Sequence, residues 1–296
     1  MDLRRLRYFV TLAEELHFGR AARRLHIVQP ALSQQIRTLE EEIGAALVER
    51  TTRRLALTTA GEVLLERGRR VLADTDRAVV ATQEAARGMT GRIAVSFVGA
   101  AAIQVVPRAL AAFRSARPDV HISVHELGSA EQLRAIEDGR VDVGFVLLPA
   151  DVGKLALEVA SEERLVVVLP RRHRLASRAR LPLAALSGED IVWMARRSEP
   201  RIFELYVSLC LEAGFSPRIA YEVDHLQSML GLVSAGLGVS HGPASIADAI
   251  PAGVVCRPLV RPAVRANIGM VHSPANRSKT LAAFLACRPQ TRAPLG

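Results

Sequence analysis

Residues 18–39, FGRAARRLHIVQPALSQQIRTL, carry two helical spacings separated by a short break. In the first, Ala21, Ala22 and Leu25 are small or apolar at helical intervals, and His26 to Gln29 interrupt it. Pro30 suits a first helical position, where a missing N–H costs nothing. Leu32, Ile36, Leu39 and Ile43 then fall at i, i+4, i+7 and i+11, which predicts one buried stripe. Ser33, Gln34 and Arg37 point off that stripe. Two helices joined by so tight a turn, the second exposing hydroxyl, amide and guanidinium groups, predict a helix-turn-helix whose second helix enters a major groove. An ordinary amphipathic helix pair in an α-helical domain is the plainer alternative.

The flanking residues extend this reading. Asp2 to Leu16 predicts a first helix with Leu3, Leu6, Phe9, Val10, Ala13 and Leu16 as its buried face. Glu40 to Glu42 and Gly44 stop the later helix. Ala46 to Val48 and Leu55 to Leu57 then flank RTTRR, a small β-hairpin with a basic tip. Arg50, Arg53 and Arg54 would reach phosphates or the minor groove, positioning the domain without reading much sequence; a solvated charged loop is the alternative. Thr59 and Glu62 fit a capping box for a helix running to about Arg87, where Gly88 offers a stop. Leu65, Leu72, Val79 and Ala86 recur every seventh residue in it, with Leu64, Val71, Ala78 and Ala85 beside them. Such a seam calls for a partner helix, most simply a second copy of itself, unless the helix lies on its own domain.

The pattern AAxxLxxxQPALSxxIxxLE, Ala21 to Glu40 here, resembles the DNA-binding domain of LysR-type transcriptional regulators, and later segments match that family in order along nearly the whole chain. The resemblance implies a winged helix-turn-helix at 1–58, a linker and dimerisation helix at 59–88, and an effector-binding domain at 91–296. It places Gln29, Pro30, Ser33, Gln34 and Arg37 at the groove and Arg53 in the wing. It also implies dimers through Leu65, Leu72, Val79 and Ala86, tetramers through the effector domains, duplex operator DNA as partner and RNA polymerase as a further one. An activator is the first expectation and a repressor the second.

From Arg92 onward, short β-branched runs alternate with helical stretches, as an α/β domain requires. Strands are predicted at Ile93–Val98, Val120–Leu127, Val141–Leu147, Arg164–Leu169, Ile191–Met194, Ile219–Val223, Val254–Leu259 and Asn267–Val271. Helices are predicted at Ile103–Ser115, Glu131–Asp138, Ile202–Ala213, His225–Ala235 and Lys279–Ala286. RPDVHISV and GRVDVGFV are similar to strand openings of the family's effector domain. The chain would cross twice between a first lobe (about 91–161 and 266–287) and a second (about 162–265), leaving a tail at 288–296. The crossings fall near Val159 to Glu162 and near Arg261 to Arg265. This double crossover resembles type 2 periplasmic binding proteins, with a ligand cleft at the hinge.

Clefts between α/β lobes are lined by post-strand loops and helix starts, whose free N–H groups favour anions. Gly99, Ala100, Ala101 and Ala102, then Gly128 and Ser129, then Pro200, Ile202 and Phe203 are the candidate effector contacts. Ser129 with Gln132 also fits a helix-capping box alone. FVGAA, ELGSAEQ and VSAGLGVS are similar to the subgroup that senses aromatic or dicarboxylic acids. Ala100 stands where that subgroup often has a hydroxyl, and Leu147 and Leu148 follow the third strand, so the site is less polar. The expected effector is a small organic acid with an apolar body, its anionic end near the N–H groups of Ala100 to Ala102 and of Ser129.

Composition narrows the alternatives. The 39 basic and 30 acidic residues leave a net charge of +9, which permits nucleic-acid or anionic-membrane binding and proves neither. Cys210, Cys256 and Cys287 lie far apart, without metal or redox spacing. No signal-peptide core or membrane-length apolar run is present, so a cytoplasmic protein is expected. Gly238 to Gly242, GVSHG, matches the GxSxG nucleophile elbow, with Asp248 and His272 in the order a hydrolase triad needs. The preceding helix and the following Pro243 fit the family's glycine turn better, so no catalysis, cofactor or metal is expected. A stand-alone solute-binding protein is the rival reading; the missing export signal and the amino-terminal extension count against it.

Overall fold

Asp2 starts the first helix, α1 (Leu3–Glu15), by accepting the Arg5 N–H at 2.7 Å. The computed structural model describes residues 1–50, 55–86, 91–261 and 265–287, and the chain divides into two units, Met1–Gly88 and Met89–Gly296. In the first unit, α2 (Phe18–Arg24) is capped by His17, whose Nδ1 accepts from the Gly19 and Arg20 N–H groups. His26, at φ +54°, turns the chain into α3 (Gln29–Ile43). Leu32, Ile36 and Leu39 are fully buried in one core with Leu6, Phe9, Leu12 and Ala21. Ile43 departs from the expected stripe and is exposed, because it closes the helix beside the left-handed Gly44 and reaches past the core's edge. Leu3 and Leu16 are likewise exposed at the ends of α1, while Thr11 and Leu12 are buried in their place.

The hairpin's first strand begins two residues later than the apolar run suggests, and its second falls at Leu55–Leu57 as expected. Its strands β1 (Val48–Arg50) and β2 (Leu55–Leu57) pair antiparallel, Val48 opposite Leu57. The backbone just before β1 is held elsewhere: the Leu47 and Val48 N–H groups donate to Glu40, and the Ala46 carbonyl accepts from the Thr58 hydroxyl. Thr58 also accepts the Gly61 N–H at 3.0 Å. The cap of α4 (Thr59–Ala86) thus falls one residue before the expected Thr59–Glu62 box. Arg53 and Arg54 lie outside the described residues, as do the side chains of Arg50 and Ala86. Leu64, Leu65 and Leu72 pack on the core that includes α1, so half of the heptad seam is covered within its own chain. Val71 and Val79 are exposed.

The second unit contains, in order, β3 (Arg92–Phe97), α5 (Val105–Ala116), β4 (His121–Glu126), α6 (Ser129–Glu137), β5 (Val143–Leu148), β6 (Ala156–Pro170), β7 (Leu181–Pro182), β8 (Asp190–Met194), α7 (Pro200–Glu212), β9 (Arg218–Val223), α8 (Leu226–Ser234), β10 (Ser240–Pro243), β11 (Val254–Arg261), β12 (Arg265–His272) and α9 (Lys279–Ala286). The first lobe's sheet runs β4-β3-β5-β12-β6. Phe113, Phe145 and Phe284 lie in its core, with the Phe113 and Phe284 rings 5.2 Å apart edge to face. The chain enters the second lobe inside β6, without a break. Its first half pairs with β12, and its last residues pair with β10 and β11. The register shifts between Ile268 and Gly269, opposite Ser161 and Val159, a bulge within the first lobe's pairing; β6 changes partners at Arg164 and Leu165, a few residues past the predicted crossing near Val159 to Glu162. The second crossing, near Arg261 to Arg265, includes residues outside those described. β8 and β9 form a parallel pair, joined to the segment before β10 by an Ile191–Val239 bridge. No helix among the described residues is long and apolar enough to cross a membrane.

Glycines set how closely α4 sits. A Cβ at Gly61 would overlap the Leu47 carbonyl oxygen, and one at Gly68 would come within 2.7 Å of Leu6. Alanine favours a helix by about 1 kcal/mol over glycine, but the overlap with rigid backbone outweighs it. Gly61→Ala is expected to destabilise the amino-terminal unit by about 1–3 kcal/mol, read as an earlier thermal or urea transition.

Candidate functional site

The outer face of α3 presents Gln29, Pro30, Gln34 and Arg37 to solvent, with Ser33 half-buried beside them. Arg37 has no carboxylate partner among the described residues, whereas neighbouring Arg20 and Arg24 pair with Glu14 or Glu15. An unpaired guanidinium and two amides on one exposed helix face suit base-edge recognition. Arg23, exposed on α2, likewise lacks a carboxylate partner among the described residues, and nothing in its spacing had singled it out.

Of the suggested residues, Gly99, Gly128 and Ser129 lie where the effector lobes meet, beside others that the sequence did not single out. Residues 99–104 form turns and α5 begins only at Val105. The Ala101 and Ala102 N–H groups donate to the Val98 and Gly99 carbonyls, and Ala101 is buried in the first-lobe core. Residues Ala100 to Ala102 therefore precede the helix start rather than form it. The Ser129–Gln132 box does not form either: Ser129 Oγ accepts the Leu147 N–H, while Gln132 bonds Ser96, Leu127 and Phe145. At the first turn of α6 the Ser129 N–H donates 2.8 Å to Oε1 of Glu199, which comes from the second lobe. The expected anion seat is therefore taken by a carboxyl of this chain.

Glu199 immediately precedes α7, makes no side-chain capping bond to it, and is 2% exposed. Burial pushes its carboxyl up to about 7, against the Ser129 hydroxyl and N–H, which favour the charged form. The lobes also meet through Ala130 N–H to the Ser198 carbonyl, Gln104 to Asp248, Arg201 to Asp151 and His225 to Glu126. Gly99 and Gly128 allow this approach. A Cβ at Gly128 would come within 2.8 Å of Ser198 Cβ, and one at Gly99 within 2.9 Å of Leu226 Cβ.

Beside this latch lies a cavity, part of it open to solvent. Of the predicted contacts, Gly99, Ala100 and Ile202 line it; Ser129 and Pro200 face a separate opening with Ile202, near Arg134 and Asp151. Phe203 lines neither and packs on the second-lobe core, with the Arg196 guanidinium 5.7 Å from its ring. Trp193, Glu199, Tyr206 and His241 line the cavity without having been predicted. His241 was legible only as a His within the GVSHG motif. In that motif, Ser240 is buried inside β10 with Oγ against Met229 Sδ, Asp248 is held by Gln104, and His272 faces the Ser273 carbonyl, so no triad assembles. Among the described residues no cluster of metal-binding side chains occurs.

A winged helix-turn-helix followed by a long helix and a two-lobed, hinge-crossed domain defines a ligand-responsive, DNA-binding transcriptional regulator. The chain belongs to the LysR family: residues 3–62 match the bacterial regulatory helix-turn-helix protein, lysR family, and residues 86–290 match the LysR substrate binding domain. It is 38% identical over 245 residues to the HTH-type transcriptional regulator AlsR of Bacillus subtilis (strain 168), spanning 83% of this chain and 81% of that protein. Full-length CbnR complexed with its target DNA is similar over 97% of this chain and 99% of its own, at 28% identity and a TM-score of 0.68. The BenM effector binding domain with its effector benzoate is similar over 67% of this chain and 90% of its own, at 26% identity and a TM-score of 0.59.

The raised Glu199 carboxyl links stability to pH. The folded state keeps its proton above 4.5, where an unfolded chain releases it, so the benefit of the neutral form is complete below about 4.5 and lost as pH rises through about 7. His241 runs the other way: burial holds it neutral, down to about 3, so stability falls as acid protonates the unfolded chain below 6.5. Comparing Glu199→Gln with the parent isolates the carboxyl, since the amide oxygen still accepts from Ser129. The variant is expected to melt several degrees higher at pH 8, on the order of 3 kcal/mol at most, with the gap closing by pH 5 in calorimetric scans.

Proposed function

We propose that this chain is a cytoplasmic transcriptional activator that binds a spaced, roughly two-fold operator and changes that binding when a small molecule enters the cleft between its lobes. Residues 1–58 would dock on DNA, 59–88 would link and dimerise, and 91–296 would sense the effector, with tetramers forming through the effector domains. RNA polymerase is the further partner, and the chain has no catalytic step of its own. The activating sign follows the family resemblance.

The observation that carries the DNA reading is the exposed face of α3, with Arg37 unpaired by any carboxylate among the described residues. The wing arginines Arg50, Arg53 and Arg54 would hold the backbone on either side. A stand-alone solute-binding protein leaves residues 3–62 unexplained. The effector reading draws support from the hinge-crossed lobes and the cavity beside their contact. An organic acid, favoured by the resemblance and by the benzoate of the BenM domain, would have to displace the Glu199 carboxyl to reach the Ser129 N–H. That requirement disfavours it.

Self-association is assigned to the part of the α4 seam that α1 leaves open. Leu65 and Leu72 are partly or fully used inside the amino-terminal unit, whereas Val79 is 53% exposed. Ala86 continues the seven-residue spacing.

Two variants test these assignments. Arg37→Ala is expected to weaken binding to the promoter fragment by about 1–3 kcal/mol while retaining the fold; an unchanged footprint would remove Arg37 from the interface. Val79→Asp is expected to shift the protein toward monomer in sedimentation at micromolar concentration, and an unchanged assembly would move the dimer contact off α4.

A further inference from the structure

The cavity beside the Glu199 latch sinks into the second lobe. There the His241 ring lies 3.8 Å from that of Trp193 and 4.1 Å from that of Tyr206, centroid to centroid. These residues come from β10, β8 and α7, and Glu199 immediately precedes α7 beside them. All four are at most 6% exposed. Among the described residues, Trp193 Nε1, Glu199 Oε2 and both His241 ring nitrogens have no hydrogen-bond partner. Buried polar atoms left in this state are costly, and their gathering around one cavity points to a ligand group that pairs with them. The rest of the lining is mainly apolar, with Val98, Leu147, Leu165, Leu226 and Met229 among it.

We propose that this cavity takes a small uncharged molecule, apolar over most of its surface, with one oxygen-bearing head such as a ketone or an alcohol, held by Trp193, His241 and Glu199. The proposal rests on the reading of the cleft as the effector site and names the class of effector. The donor inventory fits such a head: an indole N–H only donates, and a neutral imidazole offers one donor and one acceptor. Burial keeps His241 neutral, so it brings no positive charge to an acid. Among the described residues the one cationic side chain in the lining, Arg265, is 52% exposed and faces Glu162 at 4.0 Å. Glu199 repels an anion when ionised, and its other oxygen is already bonded to Ser129. A cation would have to leave water for a largely apolar wall whose carboxyl burial holds toward its neutral form.

Trp193 is the chain's one tryptophan, so its emission reports on this cavity in the full-length protein. Acetophenone, benzyl alcohol, benzoate and benzylamine share a phenyl body and differ in head group. In titrations at pH 7 followed by Trp193 emission, the two uncharged probes are expected to give saturable changes with dissociation constants at least tenfold below those of benzoate and benzylamine. His241→Phe, which keeps a ring in the stack and removes both nitrogens, is expected to weaken them at least tenfold. Should that variant fail to fold, Ala100→Leu, which narrows the cavity where Ala100 lines it, is expected to abolish the response. Binding retained in Ala100→Leu or in a folded His241→Phe overturns the proposal. So does a silent Trp193 with both uncharged probes, or a charged probe that binds as tightly. Promoter binding separates the two readings. Acetophenone that saturates Trp193 without altering promoter affinity supports the site and defeats the effector reading; benzoate acting through Trp193 on promoter affinity overturns the uncharged class and keeps the effector reading.

Discussion

The hydrogen bond from the Ser129 N–H to Glu199 is where the two effector lobes are fastened, and much of the surrounding sequence serves it. A helix N-terminus carries unsatisfied N–H groups and a partial positive charge. Here that end is satisfied by a side chain from the opposite lobe. Gly128 lets the chain before that end approach Ser198 closely, and Gly99 lets the neighbouring turn approach Leu226. Ala130 N–H to the Ser198 carbonyl then adds a second strut one residue along. Burial holds the Glu199 carboxyl near 7, so its protonation is finely balanced at neutral pH.

The opposite margin of the lobes is covalent. Because β6 continues through the crossing, pairing first with β12 and then with β10 and β11, the lobes share a strand and cannot slide independently. The strand changes partners between Arg164, opposite Arg265 of β12, and Leu165, opposite Pro243 of β10, a few residues past a bulge opposite Gly269. Bending about that strand would break the Ser129–Glu199 hydrogen bond, the Arg201–Asp151 ion pair and the contact of His225 with Glu126. A shared strand on one side with breakable polar contacts on the other has the makings of a hinge.

Much of this architecture was legible as period. The 3.6-residue spacing of Leu32, Ile36 and Leu39 and the β-branched runs from Ile93 onward placed most elements within a few residues, because burial of one face is a local, repeating requirement. Periodicity overreached at the ends, at Leu3, Leu16 and Ile43, where the spacing continued after the core had stopped. Capping was the weaker guide. Thr59 and Ser129 have the right neighbours in sequence, yet Thr58 caps α4 and Ser129 turns to the Leu147 N–H. A short polar side chain takes whichever partner the tertiary fold brings nearest, and no local pattern encodes that. Glu199 was missed for the same reason: its partner lies 70 residues away. His241 was hidden because the GVSHG motif drew attention to Ser240, which points at Met229.

The latch and the ring cluster belong to one mechanical unit. Glu199 begins α7, Tyr206 lies two turns further along the same helix, and Tyr206 packs against His241 of β10, which pairs with Val167 of the shared strand β6. An occupant of the cavity therefore touches, through one helix and one strand, both the contact that fastens the lobes and the strand about which they bend. Occupancy changes the lobe equilibrium only to the extent that the occupant binds one arrangement better, tenfold for about 1.4 kcal/mol of difference. A head group that pairs with Glu199 Oε2 supplies such a difference, because the same carboxyl holds Ser129 only while the lobes are together. Binding energy and lobe closure thus meet at one side chain, and a ligand too short to reach it would fill the cavity without biasing the hinge.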